Sequence, residues 1–449
     1  MIPDANVLLE MSERIRKCCE IDPDLYAKYE VKRGLRDISG RGVLVGLTDI
    51  SDVHAYIIDE GDYVPSEGKL YYRGFDVMDL VRGFQSGGYF GFEEATYLLL
   101  FGHLPNTATL KWFNELIDGY RPLPDDFVRD LILKAPSRDM MNLLARSVLA
   151  LYSYDDNADD ISLPNVLRQS LELIARFPSV ALYGYQAFAH YHNKGSLHIH
   201  PPLAGLSTAE NILRLLRPDG TYTPSEAQAL DLSLVLHAEH GGGNNSTFTA
   251  RVVTSTATDT YSAIAAALGS LKGPRHGGAN IKVVHMFEKI KKEVSDWDDE
   301  DEVSCYIDRI LAKEAFDRSG LVYGMGHAVY SLSDPRAVLL KEYVRKLASE
   351  KGFDAEFRLY DTVERRSADI ISHKRKIYKG VSANVDFYSG FLYNMLGIPT
   401  ELFTPMFAIA RISGWSIHRM EELVSGGRII RPAYKNLARR TPYVPIDQR

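Results

Sequence analysis

TPSEAQALDLSLVLHAEHGGGNNS, residues 223–246, reads as a helix with both ends marked. Thr223 and Glu226 stand in capping-box positions, and Pro224 falls at the first helical position, where its missing N–H leaves no helical bond unmade. Three glycines at 241–243 stop the helix. His237 and His240 are therefore expected to share its last turn, three residues apart, where the negative end of the helix dipole favours a protonated imidazole. A cationic histidine there suits a carboxylate ligand. A metal pair is the alternative, but HAEH is neither HExxH nor HxxEH and no third ligand stands out. A plain structural role also stays open for each ring.

The same kind of pattern recurs outward from this helix, in FEEATYLLLFG from Phe92, SRDMMNLLARSVLALY from Ser137 and AENILRLL from Ala209. Strand signals are confined to residues 41–72, in GVLVGLTDI, AYIIDE and KLYYRG, with Gly68 and Gly74 as turn formers. No period of 20–50 residues repeats and no low-complexity segment occurs, so a globular helical body is expected. A chain of 449 residues is long enough for two or more lobes around a large core.

Cys18 and Cys19 are adjacent and Cys305 is remote, which offers neither a disulfide framework nor a metal spacing and suits a reducing cytoplasm. The opening residues lack the composition of a secretory signal or a transit peptide. The longest apolar stretch, residues 262–271, is about ten residues, against the roughly 20 needed to span a bilayer. Net charge is −7, from 52 basic and 59 acidic residues spread along the chain, which argues against general nucleic-acid binding. The acid run at 296–302 is expected to be a solvated loop between helices.

Four further stretches place polar residues against their surroundings. In GPRHGGAN, His276 sits at a glycine-framed corner before a helical run, where the positive end of the dipole disfavours the imidazolium; a neutral His276 can donate to a developing enolate oxygen. In YGMGHAVYSLSDPR, Gly324 and Gly326 precede His327, Ser333 or Asp334 can cap a helix with Pro335 near its start, and Arg336 falls in the first turn, as it would if an anion lay between it and the free amides. In SANVDFYSGFLYNMLG, Asp386 precedes an apolar helix: either a plain N-cap or, shielded from water, a strengthened base. In TPMFAIARISGWSIH, taken to be capped by Thr404 and Pro405, Arg411 lies in an otherwise apolar helix and needs an anion; Arg428 and Arg431 follow in GGRIIRP.

Taken together, HGGGNN from His240, GPRHGGAN, GMGHAVY followed by DPRA, NVDFYSG, FAIAR and IIRP, with YRGFDVMDL, FEEATYLLLFGHLP and LDLSLVLHAEHG, resemble the citrate synthase family over roughly residues 35–435. The resemblance implies an all-α fold in which a large helical domain (35–276 and 386–449) is closed over the active site by a smaller one (277–385), with an extension at 1–34, built as a homodimer. It implies no metal or prosthetic group. By motif position Asp386 is the base that removes a methyl proton from acetyl-CoA, neutral His276 steadies the enolate, and His327 polarises the keto group of oxaloacetate. His240, Arg336 and Arg411 would hold the oxaloacetate carboxylates, with Arg431 lent across the dimer interface. Citrate and CoA would be the products.

Two positions depart from the family pattern: Gly241 stands where an acidic residue is common, and Ser331 where a basic CoA contact is common. Lys379 in HKRKIYKG is the candidate substitute for that contact. The nearest alternative is a 2-methylcitrate synthase using propionyl-CoA, or an enzyme of dual specificity, since one methylene is worth only about 1–3 kcal/mol in an apolar pocket.

Overall fold

The computed structural model describes residues 5–449 except 38–41, 60–61, 328, 376–379 and 426, and side chains at 5–8, 18, 58–59 and 62–63 are likewise outside the description. The chain divides into two compact units, Met1–Thr48 and Asp49–Arg449. The first carries α1 (Ala5–Cys19), α2 (Asp24–Lys28) and an isolated bridge between Arg36 and Gly42. Residues 43–48 form no strand, so the expectation for GVLVGLTDI fails. Its valines and leucines mostly lie exposed, without the cross-strand partners that β-branched residues need.

The second unit opens with an antiparallel sheet of β1 (Ser51–Asp59), β2 (Asp62–Tyr72) and β3 (Phe75–Asp76), in that order. Gly68 lies inside β2 and is no turn former; Gly74, at φ 85°, does make the turn into β3. Helices follow: α3 (Val77–Gly87), α4 (Phe92–Phe101), α5 (Thr107–Tyr120), α6 (Met140–Leu151), α7 (Leu163–Asn193), α8 (Thr208–Leu216), α9 (Pro224–His237), α10 (Asn245–Thr254) and α11 (Thr260–Lys272). Then come α12 (Ala279–Glu293), α13 (Glu300–Leu311), α14 (Pro335–Lys351), α15 (Asp354–Arg375), α16 (Val385–Met395) and α17 (Phe403–Ser425). The architecture is all-α, as expected.

Local chemistry accounts for most of the helix starts. Thr223 and Glu226 form the expected capping box of α9 with Pro224 first in the helix, and Ser207 with Glu210 does the same for α8. Asp334 caps α14 ahead of Pro335. The acid run is only partly a loop: Asp299 accepts from the amides of Asp301 and Glu302 and starts α13, whose first turn holds Glu300–Glu302, where the positive helix end favours acids. Thr404 does not cap α17; it lies within the helix and donates to the Gly277 carbonyl, 3.1 Å away.

α17 is the axis of the core, with Met406, Ile412 and Trp415 fully buried, and it packs on α4, α7, α9, α10 and α11. α12 packs on α13 and α16, and α14 on α15 and α16; α14 and α16 also reach α9. The end of α9 thus lies where α14, α16 and α17 converge.

Candidate active site

The convergence is braced by the hairpin. The Tyr72 hydroxyl bonds the Val235 carbonyl at 2.9 Å and the Glu239 carbonyl at 3.1 Å, pinning the end of α9. Gly68 lets β2 press against residues 330–333: a Cβ there would lie 2.2 Å from the Ser333 carbonyl oxygen and 2.6 Å from the Tyr330 ring. On the other side Gly326 N–H donates to Ser382 O (2.7 Å), Asn384 N–H to Gly324 O (2.9 Å) and the Asn384 side chain to Gly326 O (2.9 Å). These bonds tie the segment carrying His327 to the one carrying Asp386.

The helix of residues 223–237 ends at His237, earlier than expected, and His240 follows in the loop that turns at Gly241. His240 packs edge-on against His327, with centroids 5.2 Å apart, and against Tyr330 at 5.6 Å. Neither His237 nor His240 suits the protonated state that the dipole argument favoured. Burial lowers the His237 pKa to about 3, and burial with the charges of Arg336 and Arg411 holds His240 well below the usual imidazole range. A helix-end dipole is worth about 0.3–1 kcal/mol, too little against desolvation beside two guanidiniums. Both rings are neutral donors or acceptors.

His327 is oriented by its own loop: Nδ1 accepts from the amides of Val329 (3.0 Å) and Tyr330 (3.1 Å), so the ring proton resides on Nε2. His276 meets Ser246 Oγ through Nε2 at 3.1 Å. Burial, reinforced by Arg411, lowers its pKa to about 4, so it is neutral as expected, with burial and not helix position as the leading cause.

Asp386 is not the N-cap of α16. Asn384 is, accepting the Asp386 amide at 3.0 Å, which leaves the aspartate in the first turn. Among the described residues its carboxylate forms no hydrogen bond. Burial raises its pKa to about 6, against the opposing pull of Arg336 and Arg411.

Arg336 and Arg411, both buried, differ. Arg336 is clamped by Asp334 through Nε at 3.0 Å and Nη2 at 2.7 Å, so the anion that its position called for is supplied by the N-cap itself. Arg411, fully buried, donates Nε to the His237 carbonyl at 2.7 Å, while Nη1 and Nη2 have no partner among the described residues. Its guanidinium stacks on Phe407, 4.8 Å from the centroid, and burial lowers its pKa to about 10, which leaves it charged at neutral pH. A buried charge with two open donor faces is a place made for a carboxylate. The structure does not bring Arg431 into this cluster: it lies exposed in the segment after α17. Lys379 lies outside the described residues.

Sequence reasoning passed over several side chains that complete the site. Ser246, which meets His276, also accepts from Trp415 Nε1 at 3.1 Å, and Phe407 stands between the His237 and His276 rings. Glu239, between the two histidines of HAEH, is fully buried and bonded to His418 of α17 at 2.9 Å. The only signal for that pair was a histidine and a glutamate lodged in apolar helical runs.

Among the described residues no three His, Cys, Asp or Glu side chains gather as a metal site, and no helix is long and apolar enough to cross a membrane. The fold brings a buried carboxylate of raised pKa and neutral histidines within electrostatic reach of the open Arg411 guanidinium in the interior of a helical protein. Residues 35–433 match the family described as citrate synthase, C-terminal domain. The chain is 35% identical over 428 residues to the citrate synthase of Haloferax volcanii, covering 94% of this chain and 99% of that one. It is 33% identical over 433 residues to 2-methylcitrate synthase 1 of Corynebacterium glutamicum, covering 94% and 99%. It superposes with a TM-score of 0.76 and 27% identity on the ternary complex of citrate synthase from the thermophilic archaeon Thermoplasma acidophilum with carboxymethyl coenzyme A and oxaloacetate, covering 94% of this chain and all of that one. The chain belongs to the citrate synthase family.

Proposed function

We propose that the protein condenses acetyl-CoA with oxaloacetate and water to give citrate and CoA. The observation that carries this is the buried Asp386, with a pKa raised to about 6, sharing its electrostatic surroundings with the open guanidinium of Arg411. Asp386 takes a proton from the thioester methyl group. A thioester α-proton is too weakly acidic for an aspartate in water, so the oxygen of the forming enolate must be steadied, and neutral His276 is the donor in this reading. For its Nδ1 to carry the proton, Ser246 must donate to Nε2, 3.1 Å away, in place of the Asn244 Oδ1 to which it donates at 2.9 Å.

The enolate carbon attacks the keto carbon of oxaloacetate while His327 Nε2–H donates to the oxygen that gains charge. Arg411, Arg336 and His240 hold the carboxylates, Arg336 with the donors that Asp334 leaves over. Hydrolysis of the citryl thioester in the same pocket releases CoA and citrate. No resident cofactor enters the reading, and Lys379 is a candidate contact for the CoA phosphates.

The reading includes closure of a smaller lobe, residues 277–385, over the site, which would expel water and strengthen these interactions. It also includes a homodimer in which Arg431 acts in the partner's site, and a cytoplasmic location, consistent with the exposed free thiols of Cys19 and Cys305.

Release of free thiol from acetyl-CoA and from propionyl-CoA with oxaloacetate is the test. Turnover of acetyl-CoA at the higher kcat/KM supports the reading. A preference for propionyl-CoA moves the activity to 2-methylcitrate synthase, a reaction named among the relatives, and thiol from neither defeats the condensing reading.

A further inference from the structure

Arg411 and Glu239 pose a puzzle of opposite charges that do not join. The Arg411 Nη1 and Nη2 groups and Glu239 Oε2 are all buried without a hydrogen-bond partner among the described residues. Each side chain feels the other's charge. In an interior of low dielectric, a carboxylate and a guanidinium this placed gain most by closing into a bidentate pair. Such a pair would fill the donor faces that a substrate carboxylate needs.

What holds Glu239 back is visible around it. Oε1 accepts from Ser51 Oγ and from His418 Nε2, each at 2.9 Å. The His418 tautomer is set from behind: Arg251, which can only donate, reaches His418 Nδ1 from Nε at 3.1 Å and from Nη2 at 2.6 Å, so the ring proton must lie on Nε2. Arg251 is itself anchored by Glu421 and by Glu422, the latter at 3.1 Å. The Glu239 backbone is fixed by Tyr72. Oε2 rests over Gly414, where a Cβ would lie 2.2 Å from it.

We infer that His418 and Glu239 are positioning residues of the anion subsite: His418, with Ser51, retains the Glu239 carboxylate so that the Arg411 Nη groups stay open to a substrate carboxylate. The restrained Glu239 serves as the standing counter-charge of Arg411, balancing it without occupying it. This rests on the proposed reading in taking oxaloacetate as the substrate that Arg411 receives.

The test combines a structure with kinetics. In His418→Leu the carboxylate loses one of its two restraining donors, and a structure of this variant without substrate is expected to show Glu239 paired with Arg411. The same variant is expected to raise the oxaloacetate KM about tenfold or more, with kcat changed by less than about threefold. His418→Gln, whose amide can donate to Glu239 and accept from Arg251, should restore the KM. Adding Glu239→Gln to His418→Leu should lower the KM again, because a neutral amide competes weakly for a guanidinium. A merely structural His418 predicts neither rescue. If His418→Leu does not fold, Ser51→Ala, which removes the other donor, must raise the same KM. An unchanged KM, a double variant no better than the single, or a variant structure with Glu239 still apart from Arg411 overturns the inference. The structural arm needs no turnover, so it decides this point even where the wild type releases no thiol.

Discussion

Asp386 occupies the first turn of α16, where amides and dipole should lower a carboxylate's pKa, yet burial lifts it to about 6. Its ionised form is therefore the reactive one and also the strained one. The acid limb of kcat/KM should rise with pH through about 6, while His276, at about 4, is already neutral there. Asp386→Asn should reduce kcat by about 10²–10⁴, the range a general base contributes, with little change in the oxaloacetate KM. The sign for stability runs the other way. Because the folded pKa lies above the ordinary 3.8, ionised Asp386 opposes folding, so the wild type should lose stability as pH rises from about 4 to about 6. Asp386→Asn should then be the more stable protein at pH 8, by at most about 3 kcal/mol, and the gap should vanish below pH 4, as denaturant titrations at the two pH values would reveal. Arg411 yields a different prediction. Oxaloacetate at about a hundred times its Kd should stabilise the wild type by about 2.7 kcal/mol, seen as a raised Tm, and Arg411→Leu should abolish that shift.

At the scale of elements, caps were readable and contacts between helices were not. Thr223, Glu226 and Pro224 announced the start of α9, and Thr223→Ala should destabilise by about 1 kcal/mol in urea melts. The end of α9 was misjudged because His237, Ala238 and Glu239 are held by a hairpin and by α17, partners that no local pattern reports. The close crossing of α9 and α17 depends on Gly414, where an added Cβ would meet Glu239 Oε2 at 2.2 Å and the Ala238 carbonyl oxygen at 2.6 Å. Gly414→Ala should therefore destabilise by about 1–3 kcal/mol despite alanine's better helix propensity, and a gain in stability would show that this crossing is loose.

At the scale of the whole molecule, the proposed role of Arg431 makes a prediction that kinetics on mixed subunits can decide. A co-expressed pair of Asp386→Asn and Arg431→Leu chains contains one intact site per mixed dimer if Arg431 acts in the partner, and none if it acts in its own subunit. Recovery of activity well above either parent is expected, and the absence of recovery places Arg431 outside the site.

The sequence by itself determined the helical class and the capped starts of α9 and α14, and it singled out Asp386, His276, His327 and Arg411 as candidates, because each breaks a short-range pattern that needs no knowledge of the fold. Tertiary structure alone decided their states. Whether a histidine is charged, whether Arg336 is already satisfied by Asp334, and whether Glu239 stays clear of Arg411 depend on burial and on partners from distant parts of the chain. The physical reason is that desolvation and charge pairing act through space over a few ångströms, while periodicity and capping act along the chain over a few residues.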